Sequence, residues 1–196
     1  VTDGIYTDTQ EFRITILDVN DNVPVFVSNP ASAAENQIAI GCVVVTDSDL
    51  MNPAPTPAPN CGIASGLTLS ITGDNLQVNS VGYLSFISAP DFETKSSYTG
   101  TIIASDGTNT STKNITVNVT NVNEVPQISA LSSTQLSDEN QVSVVTVSAS
   151  DPDASTTLAY SLSGTDSSLF AISSSGVITF SSAPDYETPG DADGDN

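Results

Sequence analysis

The feature that most constrains this 196-residue chain is that it repeats itself. Val23-Pro24 returns as Val125-Pro126, Glu35-Asn36-Gln37 as Glu139-Asn140-Gln141, and Asp47-Ser48-Asp49 as Asp151-Pro152-Asp153, at offsets of 102 to 104. Ala89-Pro90-Asp91-Phe92-Glu93-Thr94 returns as Ala183-Pro184-Asp185-Tyr186-Glu187-Thr188 at an offset of 94. The offset falls because the first copy carries an insertion between Asp49 and Leu67, partly balanced by a shorter loop near Asp74. Asp3-Gly4 and Asn20 match Asp106-Gly107 and Asn123 at 103. A fixed period marks a tandem array in which each copy is one structural module. The expected division is residues 1–22 as the closing strand of a preceding repeat, 23–124 as a complete repeat, and 125–196 as a repeat lacking its last strands.

Each copy reads as all-β. Short runs of Val, Ile and Thr are broken by Asn, Asp, Gly and Pro, and no segment has a helical period. Lys113 to Val122 alternates Ile115, Val117 and Val119 with Asn114, Thr116, Asn118 and Thr120, as a half-buried strand must. Gln10 to Val19 alternates in the same way through Phe12, Ile14 and Ile16. Further strands are expected at Ile38–Thr46, Leu67–Ile71, Tyr83–Ile87, Tyr98–Ala104, Val142–Ala149, Leu158–Leu162 and Val177–Phe180.

Composition then narrows function. The 23 acidic residues stand against 3 Lys and Arg, a formal charge of −20. That balance removes the basic footprint needed for nucleic acid and the Lys/Arg clusters needed for anionic lipid. No run approaches a membrane span, and Val1 does not open a signal peptide, so a mature piece or an excerpt is expected. With no His, neither a Ser-His-Asp or Cys-His nucleophile nor a His-ligated zinc site can be built.

Fifteen of the 23 acids fall on the repeat's landmarks, in Asp-x-Asp, Asp-x-Glu and Asp-x-Asn-Asp-Asn spacings. Carboxylates a few ångströms apart repel by up to about 4 kcal/mol per pair at an effective dielectric of 20. With so few cationic side chains, a hard divalent ion is the remaining neutraliser. Carboxylates, Asn side chains and backbone carbonyls in this number suit calcium better than magnesium or zinc.

Glu35-Asn36, Asp47-Ser-Asp49, Asp91-Phe-Glu93, Asp106-Gly and Asp18-Val-Asn-Asp-Asn22-Val-Pro24 together resemble the calcium motifs of cadherin repeats, in that family's order and over essentially the whole chain. The Ser/Thr/Ala-rich composition and Asn121-Val-Asn-Glu-Val-Pro126 are closer to prokaryotic cadherin-like repeats. The resemblance implies tandem Greek-key β-sandwiches, immunoglobulin-like and joined end to end, with calcium at the junctions. At the first junction it assigns Asp18, Asn20, Asp21 and Asn22 together with Asp47, Asp49 and Asp106. At the second it assigns Glu35, Asp91 and Glu93 with Asn121, Asn123 and Glu124 and then Asp151 and Asp153. There Asn121 replaces an Asp and a lone Glu124 stands for Asp-Asn, so fewer or weaker ions are implied. Glu139, Asp185 and Glu187 would serve a third junction. Asp191-Ala-Asp-Gly-Asp-Asn196 reads either as a further calcium loop or as an ordinary turn.

Cys42 and Cys61 are the only cysteines, one in a strand and one closing the insertion with Pro53, Pro55, Pro57 and Pro59. A disulfide pinning the added loop is expected, and with it an oxidising compartment; two buried free thiols are the alternative. Asn109, Asn114 and Asn118 begin Asn-x-Ser/Thr sequons.

The implied function is that of a calcium-dependent extracellular or cell-surface adhesive or structural protein, part of a filament or adhesin, and not an enzyme. Its partners would be proteins, either neighbouring repeats or other copies of itself, including a strand of one chain completing the open module of another. The other reading is a passive spacer or a glycan-binding accessory module of a large secreted enzyme. Zero Trp and five Tyr offer few platforms for sugar stacking. An Asp91/Glu93 glycosidase pair is set aside because the same pair recurs at Asp185/Glu187.

Overall fold

The computed structural model describes residues 1–50, 61–153 and 156–191. Among these the regular structure is β throughout, apart from one 3-10 turn at Ser167–Leu169. The chain divides into two compact units, Val1–Asn121 and Val122–Asn196.

The first unit contains β1 (Val25–Ser28), β2 (Ser32–Ala34), β3 (Ala39–Cys42), β4 (Val44–Thr46), β5 (Thr68–Gly73), β6 (Leu76–Val78), β7 (Tyr83–Phe86), β8 (Ser97–Ser105) and β9 (Thr110–Thr120). A four-stranded sheet runs β2-β9-β8-β5, a three-stranded sheet β3-β7-β6, and β1 pairs with β4. β2 lies parallel to β9, whereas β8 and β9 form a long antiparallel hairpin. Ile115, Val117 and Val119 of β9 are buried and Asn114, Thr116, Asn118 and Thr120 are exposed, as the alternation requires.

The core lies between the two sheets. Val43, Val45, Leu84 and Phe86 meet Tyr98, Ile102, Ala104, Ile115, Val117 and Val119. Phe86 and Tyr98 pack edge to face with centroids 5.2 Å apart, an arrangement favoured by the ring quadrupoles.

Cys42 of β3 is bonded to Cys61, with Cα atoms 5.3 Å apart, as expected from the sequence. The proline-bearing residues 53–59 lie outside the described residues. Cys61 is fully buried, so the bond fastens the far end of the insertion into the core edge. Its loop spans 19 residues, and cross-linking a loop of this size restricts the unfolded chain by about 3 kcal/mol. The Cys42→Ser/Cys61→Ser double variant should lose that amount from the first unit's urea-unfolding free energy and leave the second unit's transition in place.

The second unit contains β10 (Gln127–Ile128), β11 (Ser143–Thr146), β12 (Ala149–Ser150), β13 (Phe170–Ile172) and β14 (Val177–Phe180). β10 pairs with β12, and β11-β14-β13 form a three-stranded sheet. These strands sit at the repeat positions of β1, β4, β3, β7 and β6 and pair in the same way. Matching backbone bonds recur too. Val43 N–H donates to the Gly82 carbonyl at 2.9 Å, and Val147 N–H to that of Gly176 at 2.8 Å. Both glycines have φ near +80°, which a side chain would strain.

Two expected strands are absent. Leu158–Leu162 occupies the repeat position of β5, but no strand forms there. β5 is held in the first unit by pairing with β8, and residues 125–191 contain no counterpart of β8 or β9. Gln10–Val19 corresponds to β9, yet it forms no ladder, and Phe12, Ile14 and Ile16 are 82%, 77% and 91% exposed. β9 is a strand because β2 and β8 flank it; alternation alone cannot satisfy backbone N–H and C=O groups. For the same reason Val147 is the one buried hydrophobic side chain of the second unit among the described residues.

Candidate metal centres

One carboxylate group gathers where β2 ends. Asn36 adopts φ +60° and its N–H donates to the Pro90 carbonyl at 3.0 Å, which turns the chain and lays Glu35 against the loop after β7. Glu35 is 3% exposed, and its Oε2 accepts the Phe92 N–H at 2.8 Å. Asp91 accepts the Thr94 N–H at 2.9 Å and the Thr94 hydroxyl at 3.0 Å. Glu93 accepts the Asn121 amide at 3.0 Å. One oxygen from each of Glu35, Asp91 and Glu93 lies within 4.8 Å of the others.

The second unit builds the same group from Glu139, Asp185 and Glu187, again within 4.8 Å of one another. Asn140 has φ +62°, its N–H reaches the Pro184 carbonyl at 2.9 Å, and Glu139 Oε2 accepts the Tyr186 N–H at 3.2 Å. Here all three acids are exposed. Glu35 is covered because its N–H is bonded to the Thr120 carbonyl of β9, and the second unit has no equivalent strand.

A second acidic group of the first unit ties residues 20–22 to the ends of β4 and β8. Asp47 is 1% exposed and its Oδ1 accepts the Asp49 N–H at 2.9 Å. Asp49 in turn accepts both the backbone N–H of Asn22, at 2.7 Å, and its side-chain amide, at 2.5 Å. Asp106 Oδ1 accepts the N–H groups of Thr108 and Asn109 at 2.7 and 2.6 Å. The bond from Asn109 is the main reason that the Asp106 carboxyl is held below the usual value of 3.8. Asn109 also donates its amide to the Asn22 carbonyl at 2.8 Å, and the Asn20 amide reaches the Thr108 hydroxyl at 3.4 Å. Asn20, Asn22, Asp47, Asp49 and Asp106 are thus drawn together. Asp21 accepts the side-chain amide of its neighbour Asn22 at 3.1 Å, and Asp18 stands exposed outside these bonds.

The Asp106 turn has a twin. Asp3 Oδ1 accepts the N–H groups of Ile5 and Tyr6 at 2.9 and 2.7 Å, which lowers its pKa in the same way, the Tyr6 bond contributing most. Gly4 and Gly107 have φ +93° and +92°. In the second unit Asp153 N–H donates to Asp151 Oδ1 at 2.9 Å, and Asp153 Oδ2 accepts the Glu124 N–H at 2.6 Å. Glu124 therefore stands in the place of Asn22 but has no amide for a second bond. Asn123 donates to the Glu124 carbonyl at 3.0 Å. Sequence reasoning missed Asn109; the signal was its place three residues beyond Asp106, where a side chain can cap the same turn.

Among the described residues the single ion pair joins Lys95 to Asp74 at 3.1 Å, outside every one of these groups. Three points no more than 4.8 Å apart all lie within about 2.8 Å of a common centre, near enough for one cation to reach all three oxygens. The donors are all oxygen, so their chemistry fits a hard cation. For Asp191–Asn196, residues 192–196 lie outside the described residues.

No protein-family model matches this chain. It is 31% identical over 180 residues to mouse protocadherin Fat 4, a match covering 85% of this chain and 4% of that protein. The crystal structure of human protocadherin-24 EC1-2 (form II) superimposes with a TM-score of 0.58 at 23% identity, covering 83% of this chain and 79% of that one. Mouse cadherin-23 EC22-24 superimposes at 0.50 and 23%, covering 87% and 57%. These modules are cadherin-like repeats. Among the described residues the first unit holds the β2-β9-β8-β5 and β3-β7-β6 sheets and the β1-β4 pair, and the second unit the β11-β14-β13 sheet and the β10-β12 pair. The chain spans only a small part of the length of protocadherin Fat 4. No helix among the described residues is long and apolar enough to cross a membrane.

Proposed function

We propose that the chain is a segment of an extracellular, calcium-dependent adhesive or structural array, in which ions held by the acidic groups set the stiffness of successive cadherin-like repeats. The observation that carries this reading is the duplicated carboxylate triad. Glu35/Asp91/Glu93 and Glu139/Asp185/Glu187 are assembled by the same turn and the same backbone bonds. Solvated acids need not recur at matched positions, whereas the ligands of a repeated site must.

The residues have separate tasks. Glu35, Asp91, Glu93 and Asn121 offer oxygens after β2 and β7, and Asp47, Asp49, Asp106 and the 18–22 segment offer them beside β4 and β8. Asp151, Asp153, Asn123 and Glu124 repeat that second set in reduced form. Along the sequence the first kind of group is followed directly by a linker and then by the second kind. Ions common to both would fix one repeat against the next, and their removal would leave like charges repelling across the linker. Partners in this reading are other copies or neighbouring repeats, and the location is the cell exterior.

Calorimetric calcium titration tests it directly. The Asp91→Asn/Glu93→Gln variant removes two charges at exposed positions without disturbing the core, and it should weaken the corresponding site at least tenfold. Small-angle scattering in calcium and in chelator supplies the second measurement; identical dimensions would exclude calcium-set stiffness.

A further inference from the structure

The three sequons look alike in sequence and differ sharply in the fold. Asn109-Thr-Ser111 is built into the acidic group beside the linker. Its amide nitrogen donates to the Asn22 carbonyl at 2.8 Å and to Asp106 Oδ2 at 3.3 Å, and the Ser111 hydroxyl donates to the Pro24 carbonyl. Both groups of that sequon are therefore spent on holding residues 22–24 against β9, and Asn109 is half-buried.

Asn114 and Asn118 instead stand four residues apart on the exposed face of β9, with Thr116 and Thr120 beside them. Four residues of strand place them about 13 Å apart on one face. The hydrogen bond at Asn114 falls on its carbonyl oxygen, which accepts the Thr101 hydroxyl at 2.8 Å, and not on the nitrogen that a sugar would take. The Thr120 hydroxyl makes one long contact, 3.4 Å to the Ala33 carbonyl. Around them the outer face of the four-stranded sheet carries Ser97, Thr99, Ser70 and Thr72, uncharged in a chain of net charge −20. Nothing of the core and none of the acidic groups lies on that face.

We propose that Asn114 and Asn118 are the N-glycan acceptors of this chain and that Asn109 is not. The proposal rests on the extracellular part of the function argued above, since the donor, a lipid-diphosphate-linked oligosaccharide, is met in the secretory route. The amide nitrogen attacks the anomeric carbon of that donor. The new N–C bond forms as the C–O bond to the diphosphate breaks, the lipid diphosphate leaves with the electron pair, and the nitrogen gives up one proton. On β9 the product projects into solvent with every backbone bond kept. At Asn109 it would displace the Asn22 and Asp106 contacts, so a chain modified there cannot complete the fold. Two glycans on one strand face would also bar that sheet face from lateral contact and leave any association to the other sheet or to the module ends.

The chain secreted from cultured mammalian cells is treated with peptide N-glycosidase F in 18O-water and mapped by mass spectrometry. The expected result is labelled aspartate at positions 114 and 118 and unmodified Asn109 in the folded, monodisperse fraction. Label at position 109 in that fraction, or its absence at 114 or 118, overturns the assignment. An Asn114→Gln/Asn118→Gln variant should lose the whole enzyme-sensitive mass. Calcium titration of the same secreted material separates the two ideas: intact calcium binding without glycans would sink only the glycan assignment, and glycans without calcium binding would sink only the calcium reading.

Discussion

Calcium at 10 mM, added to protein first stripped with chelator, should raise the thermal midpoint of the first unit by about 10 °C or more. Sites in extracellular modules bind with dissociation constants of roughly 10⁻⁴ to 10⁻³ M. At a hundredfold excess over the tighter value, one site that exists only in the folded state adds about 2.7 kcal/mol. For a domain of this size each kcal/mol moves the midpoint by roughly 4–8 °C. The gain has an electrostatic origin: Glu35, Asp91 and Glu93 hold oxygens within 4.8 Å of one another with no cationic side chain among them. Magnesium at the same concentration should do much less, because it keeps its water and prefers shorter bonds. Differential scanning calorimetry in calcium, magnesium and chelator makes the comparison. Equal midpoints in calcium and chelator would remove the proposed ligand role.

The second large effect sets one repeat position against its twin. Phe86 is fully buried and packs against Tyr98 of β8 across the sandwich. Phe180, at the same place in the next repeat, is half-buried and packs against Phe170 of its own sheet, with centroids 5.0 Å apart. Phe86→Ala removes a ring from between two sheets and should cost about 3–5 kcal/mol in urea unfolding of the first unit, a large share of the stability of a small domain. Phe180→Ala removes a ring that water already reaches, and should cost the second unit roughly 1–1.5 kcal/mol, half of what full burial gives. Comparable losses at both positions would mean that the second unit carries a covered core without counterparts of β8 and β9 among its described residues.

These expectations show where residue patterns suffice. The repeat, the all-β class, the alternation of β9 and the grouping of Glu35 with Asp91 and Glu93 were all legible, and each depends on contacts that motif spacing or strand periodicity already encodes. The Cys42–Cys61 bond was legible for a simpler reason: two cysteines permit one intramolecular pairing. Asn109 was not legible as part of the linker group, because its contacts to Asn20 and Asn22 join residues nearly ninety positions apart. The missing strands at Gln10–Val19 and Leu158–Leu162 escaped for a related reason. Their alternation is as good as that of β9, but a strand exists only where a neighbour completes its ladder.

Sequence by itself therefore determined the module, its period and the chemistry of its acidic landmarks, since these follow from side-chain type and short-range spacing. Only the tertiary structure decided which alternating segments became strands, which of two matched phenylalanines is sealed from water, and which of three identical-looking sequons stands clear. Those outcomes turn on whether β8 and β9 are present to close the second sheet, and pairing across long chain separations is not written in any local run of residues.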